Sequence, residues 1–189
     1  MGVLSPRLDK AIRVAAWAHR EQTRKSTDLP YIVHPFAVMT IAAKATDDED
    51  VLIACLFHDI IEDVPEMYNR EQMEQEFGPQ VVAIVDGVTK DDTIKDWRQR
   101  SEAYLAHLRQ ASDGSVIVSA SDKIHNLQSM LIDHETQGEK LWERFNAGPR
   151  DQLWWYESIA EVLDSRISGS VLAVELRRLI DKLRPIVEV

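Results

Sequence analysis

His58, Asp59, Glu62 and Asp63 fall in LFHDIIED, directly after residues 51–57, an unbroken apolar run. A segment this apolar is expected to be buried. Burying an unpaired charge costs several kcal/mol, so such groups are normally paired or bound to a metal. On a helix, residues three or four apart share a face. That spacing puts His58 with Glu62, and Asp59 with both Glu62 and Asp63, in one polar patch. Histidine and aspartate suit a divalent metal, and a neighbouring carboxylate suits acid or base work. A bare His-Asp pair is also compatible with acidic groups hydrated at a helix end, so the wider chain must decide. His34 stands before Pro35, and a proline at the first helical position is expected to hold His34 extended at a helix entrance. Asp122 lies in SASDKIHN, inside another predicted helix.

The elements that would carry these residues read as helices. Ser5 and Pro6 suit the N-cap and first position of a helix through SPRLDKAIRVAAWAHREQTR, with Leu8, Ile12, Ala15, Ala16 and His19 on one face. KSTDLPY is a loop, and HPFAVMTIAAKA a second helix. Thr46 and Glu49 match a capping box for a third, TDDEDVLIACLFHDIIED, which is apolar nearly all round and so should be central. Gly78-Pro79 divides the next segment into two short helices. DWRQRSEAYLAHLRQAS is amphipathic. SVIVSASDKIHNLQSMLID opens with a β-branched run, but Ile124, Leu127, Met130 and Leu131 have helical spacing, so helix is predicted throughout. RDQLWWYESIAEVL and VLAVELRRLIDKLR complete an all-α domain over residues 1–189, a helical bundle around one buried helix.

Composition narrows the function classes. The chain has 189 residues, 44% apolar and 29% charged, with 7 Gly and 7 Pro, which suits a mainly helical globular protein. A single cysteine, Cys55, excludes an internal disulfide framework and fits a reducing, cytoplasmic location. No signal peptide and no membrane span is expected, since no apolar stretch approaches ~18 residues. A formal charge of −10 argues against nucleic acid as a partner. A small polyanionic substrate remains compatible where a metal and local Lys or Arg reverse the field. The sequence defines no oligomeric state.

The order H…HD…D over three helices resembles the HD-domain metal-dependent phosphohydrolases. RKSTDLPYIVHP, LFHDIIED, FGPQVVAIVDGVTK and SDKIHN resemble, in order and spacing, the hydrolase domain of the RelA/SpoT alarmone enzymes. They look most like the small alarmone hydrolases, which include the metazoan SpoT homologue. The resemblance runs from about residue 10 to about residue 160. It implies that His34, His58, Asp59 and Asp122 hold one metal, usually Mn²⁺, and that Glu62 and Asp63 activate the attacking water. It further implies that Arg24, Lys25 and Ser26 line the nucleotide pocket together with Asn126. Arg150 and Trp154 fall, at a looser alignment, near positions where an arginine and an aromatic approach the nucleotide.

The implied reaction removes the 3′-pyrophosphate from a nucleotide alarmone such as ppGpp. Synthesis is not expected. Where the family usually has a lysine, in K-L-A-D, this chain has Ser119 in Val118-Ser119-Ala120-Ser121-Asp122. Three readings therefore stay open: ppGpp as substrate, another nucleotide such as ppApp or NADPH, and a degenerate domain that senses a nucleotide. Trp154, Trp155 and Tyr156 equally suit core packing. His125 is expected to support its helix, and Lys90 and Lys123 to be solvated or to touch phosphate.

Overall fold

The computed structural model describes residues 4–25 and 27–187. Several of the predicted helices begin at a side chain that satisfies a free amide. Ser5 accepts the Leu8 amide at 3.0 Å and starts α1 (Pro6–Ala18), with Pro6 in the first turn, where its missing N–H is no loss. α2 is Val33–Ala42 and α3 is Glu49–Phe57, capped by Asp48 through the Asp50 amide. The capping box expected of Thr46 and Glu49 is absent. Thr46 instead accepts the Asp48 amide at 3.0 Å, and Glu49 turns to Ser5 and Arg7 of α1. A capping box does form between Asn69 and Gln72, at the start of α5.

Two expectations near the polar patch are corrected. Pro35 is not at the first position of its helix, because α2 begins at Val33 and carries His34 inside its first turn. Hydrogen bonding rather than an extended backbone sets the direction of His34, whose amide donates to the Tyr31 carbonyl at 2.8 Å. The helix predicted through LFHDIIED is also interrupted. α3 stops at Phe57, and a separate turn, α4 (Ile60–Asp63), follows. The His58 ring donates to the Cys55 carbonyl at 2.8 Å, taking the acceptor that a continuing helix would offer the Asp59 amide.

Gly78 ends α5 (Arg70–Phe77) at φ 89°, a conformation costly for any side chain, and Pro79 opens α6 (Pro79–Asp86). α7 is Trp97–Leu108, and α8 runs unbroken over Asp113–Gln137, so the β-branched run inside it is helix. A 3₁₀ segment, Gly138–Arg144, is an element that sequence periodicity did not predict. α9 (Pro149–Arg166) and α10 (Val171–Val187) close the chain. No strand occurs among the described residues beyond an isolated bridge pairing Thr23 with Pro30.

The architecture is all-α, with apolar side chains in two buried groups. One joins α1, α2, α3, α5 and α6 around Ile53, Leu56 and Phe57, all at 0% exposure, and makes α3 the central helix of that half. The other joins α7, α8, α9 and α10 around Ile124, Leu127, Ile159 and Leu163. α8 serves both, giving Val118 to the first group and Val116, Ala120 and Ile124 to the second. Its buried hydroxyls are satisfied locally: Ser115 donates to the Ile84 carbonyl at 3.0 Å, and Ser121 to Ile117 at 2.8 Å. α2 packs on both α3 and α8. The end of α3, the start of α2 and the middle of α8 therefore meet at the seam between the two halves.

Candidate functional site

That seam is where the candidate donors converge. His34 Nε2 lies 3.2 Å from His58 Nε2, 3.4 Å from Asp59 Oδ2 and 3.2 Å from Asp122 Oδ1. His58 Nε2 lies 3.1 Å from Asp59 Oδ2 and 3.8 Å from Asp122 Oδ1. Ligand atoms of His34, His58 and Asp59 all fall within 4.8 Å of one another. Both imidazoles are buried, as is Asp122.

The donor set fits a divalent cation on its hydrogen bonding alone. A carbonyl only accepts, so the bond from His58 to Cys55 puts the proton of a neutral ring on Nδ1. Nε2 then turns a lone pair toward the Asp59 and Asp122 carboxylates, an approach that only a cation relieves. In the absence of metal that cation is a proton. Burial opposes charge on His58, yet Asp59 and Asp122 carry its pKa well above the usual range. The carboxylates answer in kind: burial would raise Asp59, but His58 and His34 hold it well below the ordinary range, and Lys123 with the same histidines does so for Asp122.

A second layer orients these donors, and most of it escaped prediction. Tyr31 donates its hydroxyl to Asp59 Oδ2. Burial and the neighbouring Asp59 push the Tyr31 pKa upward, so it remains a donor. Lys123 is 5% exposed and not solvated, because its ammonium pairs with Asp122 Oδ2 and lies over the Tyr104 and Trp155 rings. Asn126 donates to Asp122 Oδ1 and accepts from Arg24 at 3.3 Å, linking the carboxylate to the loop. His125 stands with its Nδ1 2.7 Å from that of His34, and burial with the nearby His34 and Arg24 lowers its pKa to about 4. Spacing alone contained one hint: His125 and Asn126 follow Asp122 by three and four residues, one helical turn.

Glu62 and Asp63 occupy different surroundings. Glu62 is largely buried, accepts the Lys90 amide at 2.6 Å on Oε1 and has the Lys90 ammonium 3.8 Å from Oε2. Burial outweighs that cation and raises its pKa. Asp63 is exposed and takes a 2.8 Å hydrogen bond from Gln22, which contacts His19 at 2.6 Å.

Beside the donors opens a cleft of about 600 Å³, bounded by the loop after α1, by α7, α8 and α9, and by the 3₁₀ segment. Arg24, Lys25, Lys90, Arg100, Lys123 and Arg144 line it, against one acidic side chain, Asp133. The bridge between Thr23 and Pro30, with the Arg24 amide donating to the Leu29 carbonyl at 2.8 Å, shapes the loop that presents Arg24 and Lys25. Lys25 reaches across to the Arg144 carbonyl. Ser26 lies outside the described residues. Asn126, Trp155 and Tyr156 line the cleft, whereas Arg150 and Trp154 do not. Arg150 is exposed on the first turn of α9, and Trp154 packs against Trp97 with the Arg98 guanidinium 3.2 Å from its ring centroid. One residue separates Trp154 from Trp155 along the helix, so the loose alignment that pointed to Trp154 missed the indole that lines this wall.

Fold and donor set together define an HD domain, and residues 11–147 match that family. The chain belongs to the HD-domain family. It is similar to a Haemophilus influenzae protein named guanosine-3′,5′-bis(diphosphate) 3′-pyrophosphohydrolase, 39% identical over 123 residues, covering 62% of this chain and 18% of that one. It is also similar to the Escherichia coli K12 bifunctional (p)ppGpp synthase/hydrolase SpoT, 39% identical over 130 residues, covering 66% and 18%. A Streptomyces coelicolor GTP pyrophosphokinase is 39% identical over 140 residues, covering 72% and 16%. The chain thus spans less than a fifth of the length of these curated relatives. Among solved structures, a metazoan ortholog of SpoT described as hydrolysing ppGpp superposes with a TM-score of 0.77 over 96% of this chain and 98% of its own, at 24% identity. A Listeria monocytogenes protein superposes at 0.71 over 79% and 97%, also at 24% identity. At that identity the two share the fold.

Proposed function

We propose that this chain acts as a single HD hydrolase domain, a metal-dependent pyrophosphohydrolase that removes the 3′-pyrophosphate from a nucleotide such as ppGpp. The observation that carries the reading is the junction of four close donors, the buried His34, His58 and Asp122 and the half-buried Asp59, with a basic cleft in an otherwise acidic protein. Similarity to relatives named for ppGpp hydrolysis supports the substrate class. Mn²⁺ is the proposed ion, held by those four residues; when bound, such an ion lowers the pKa of water and polarises a phosphoryl oxygen.

The remaining work falls to the protein. Glu62 is largely buried and its pKa is raised, so its carboxylate is a stronger proton acceptor than a solvated one and serves as general base. The exposed Asp63, positioned by Gln22, assists in ordering water. Water adds to the phosphorus attached to the 3′-oxygen and one of its protons passes to Glu62; the bond from phosphorus to the 3′-oxygen breaks, and that proton returns to the 3′-oxygen, which leaves as the hydroxyl of the nucleoside diphosphate. Arg24, Lys25, Lys90 and Lys123, which line the cleft, offset the charge of the pyrophosphate. Asn126 and Ser26 complete the proposed nucleotide contacts, with Trp155 and Tyr156 replacing Trp154 as the aromatic wall. No described helix is long and apolar enough to cross a membrane, and a cytoplasmic location is proposed from the single buried thiol.

The test is direct. Purified protein is stripped with a chelator, reloaded with Mn²⁺ and offered ppGpp, ppApp and NADPH in parallel. Release of pyrophosphate and GDP from ppGpp is the expected result. Preference for ppApp or NADPH would move the substrate while keeping the site, and turnover of none of them would leave a nucleotide sensor.

A further inference from the structure

The two histidines at the donor cluster have their outer nitrogens held in different ways. His58 Nδ1 faces a backbone carbonyl, which cannot be a donor. His34 Nδ1 faces another imidazole, His125 Nδ1, at 2.7 Å, with the ring centroids 4.9 Å apart and inclined at 36°. One proton lies between those two nitrogens, and its side decides what His34 does. When His34 carries it, His34 Nε2 is a bare lone pair aimed at Asp59, Asp122 and His58, the form a metal requires. When His125 carries it, a neutral His34 must hold its own proton on Nε2, and the metal position is blocked.

From this contact we infer that His125 is a positioning residue: its Nδ1 lone pair accepts a hydrogen bond from His34 Nδ1–H and thereby selects the metal-binding tautomer of His34. The role rests on the metal-centre reading above but not on any substrate. Its place in the fold is suited to it. Asp122 and His125 are one turn apart on α8, so the helix that supplies one donor directly also orients another borne by α2. α2 and α8 pack together along this contact, which ties the ring pair to the helix interface. No other described side chain hydrogen-bonds His34 Nδ1.

Mn²⁺ affinity, measured by calorimetry on chelator-stripped protein, is the primary readout. His125→Leu, which keeps bulk but removes the acceptor, should weaken Mn²⁺ binding about tenfold to a hundredfold, the usual cost of losing an outer partner of a metal-bound histidine. His125→Asn places an amide oxygen near the position of Nδ1 and should recover most of that loss. Thermal melting of the metal-free variants controls for folding. Long-range proton–nitrogen NMR of the Zn²⁺-loaded wild type should show His34 protonated at Nδ1. Affinity within twofold of wild type in a folded His125→Leu protein would overturn the assignment. So would an Asn variant as weak as Leu, or a His34 protonated at Nε2. If the Leu variant does not fold, the Asn variant and the wild-type tautomer decide. Wild-type protein that binds neither ion refutes the centre and this role together. Metal binding without ppGpp turnover refutes only the proposed reaction.

Discussion

The donor cluster and the basic cleft adjoin each other but are built on opposite plans. The donors sit on α2, α8 and the end of α3, buried except for the half-buried Asp59, close together and each braced by a second partner. The cleft draws Arg24 and Lys25 from a loop, Lys90 from the segment after α6, Arg100 from α7 and Arg144 from the 3₁₀ segment. Lys25 and Arg24 are joined to partners more than 100 positions away. A cluster of this kind tolerates almost no change, because removing one member strands buried charges. A cleft lined by several separate cations loses affinity by degrees.

The sharpest contrast comes from the donors. Asp59→Ala should abolish Mn²⁺ binding and turnover together, with elemental analysis showing loss of the ion; full metal content in this variant would break the assignment. Next, Glu62→Gln should lower kcat by about 10²–10⁴ with metal content unchanged, since it removes proton acceptance but not shape. Glu62 also sets a pH test. As a base it works unprotonated, so activity falls as pH drops through its pKa. Burial raises that pKa, and the acid limb should therefore lie above the ordinary glutamate value of about 4.3 and vanish in the Gln variant.

Charge in the cleft gives the intermediate effect. A charge-assisted hydrogen bond is worth about 1.5–3 kcal/mol. At about 1.4 kcal/mol per decade, Arg24→Ala combined with Lys25→Ala should lower kcat/KM by roughly one to two powers of ten or more, without loss of metal. The deficit should narrow as salt is raised, because added ions screen the wild-type attraction. Unaltered kinetics would shift phosphate binding to Lys90, Lys123, Arg100 and Arg144. The smallest effect belongs to Arg150→Ala. An exposed side chain outside the cleft should change kcat/KM by less than about twofold, in line with surface substitutions worth under ~0.5 kcal/mol.

How far each region could be read from sequence follows the same division. Helical periodicity found α1, α5, α6, α7, α9 and α10, since each buries one stripe, but α1 stops at Ala18, six residues short of its predicted end, where the chain turns into the loop bridged by Thr23 and Pro30. α8 overrode its β-branched opening because both halves of the core pack on it. The break after His58 was invisible, because it depends on a side chain competing for the Cys55 carbonyl. Lys123 reads as an ordinary surface lysine until Asp122, Tyr104 and Trp155 close around it.

By itself, then, the sequence determined the helical class, the buried α3 and the residue types in the donor cluster, because these follow from apolar spacing and from the cost of burying lone charges. It also carried the motif order by which the chain resembles its family. Tertiary structure alone decided which nitrogen of each histidine faces inward, which lysine is buried, that Trp155 rather than Trp154 meets the cleft, and how an acidic chain gathers cations from separate elements around one cleft. Those outcomes depend on directions and distances between segments remote in the chain, and spacing along one helix carries no information about them.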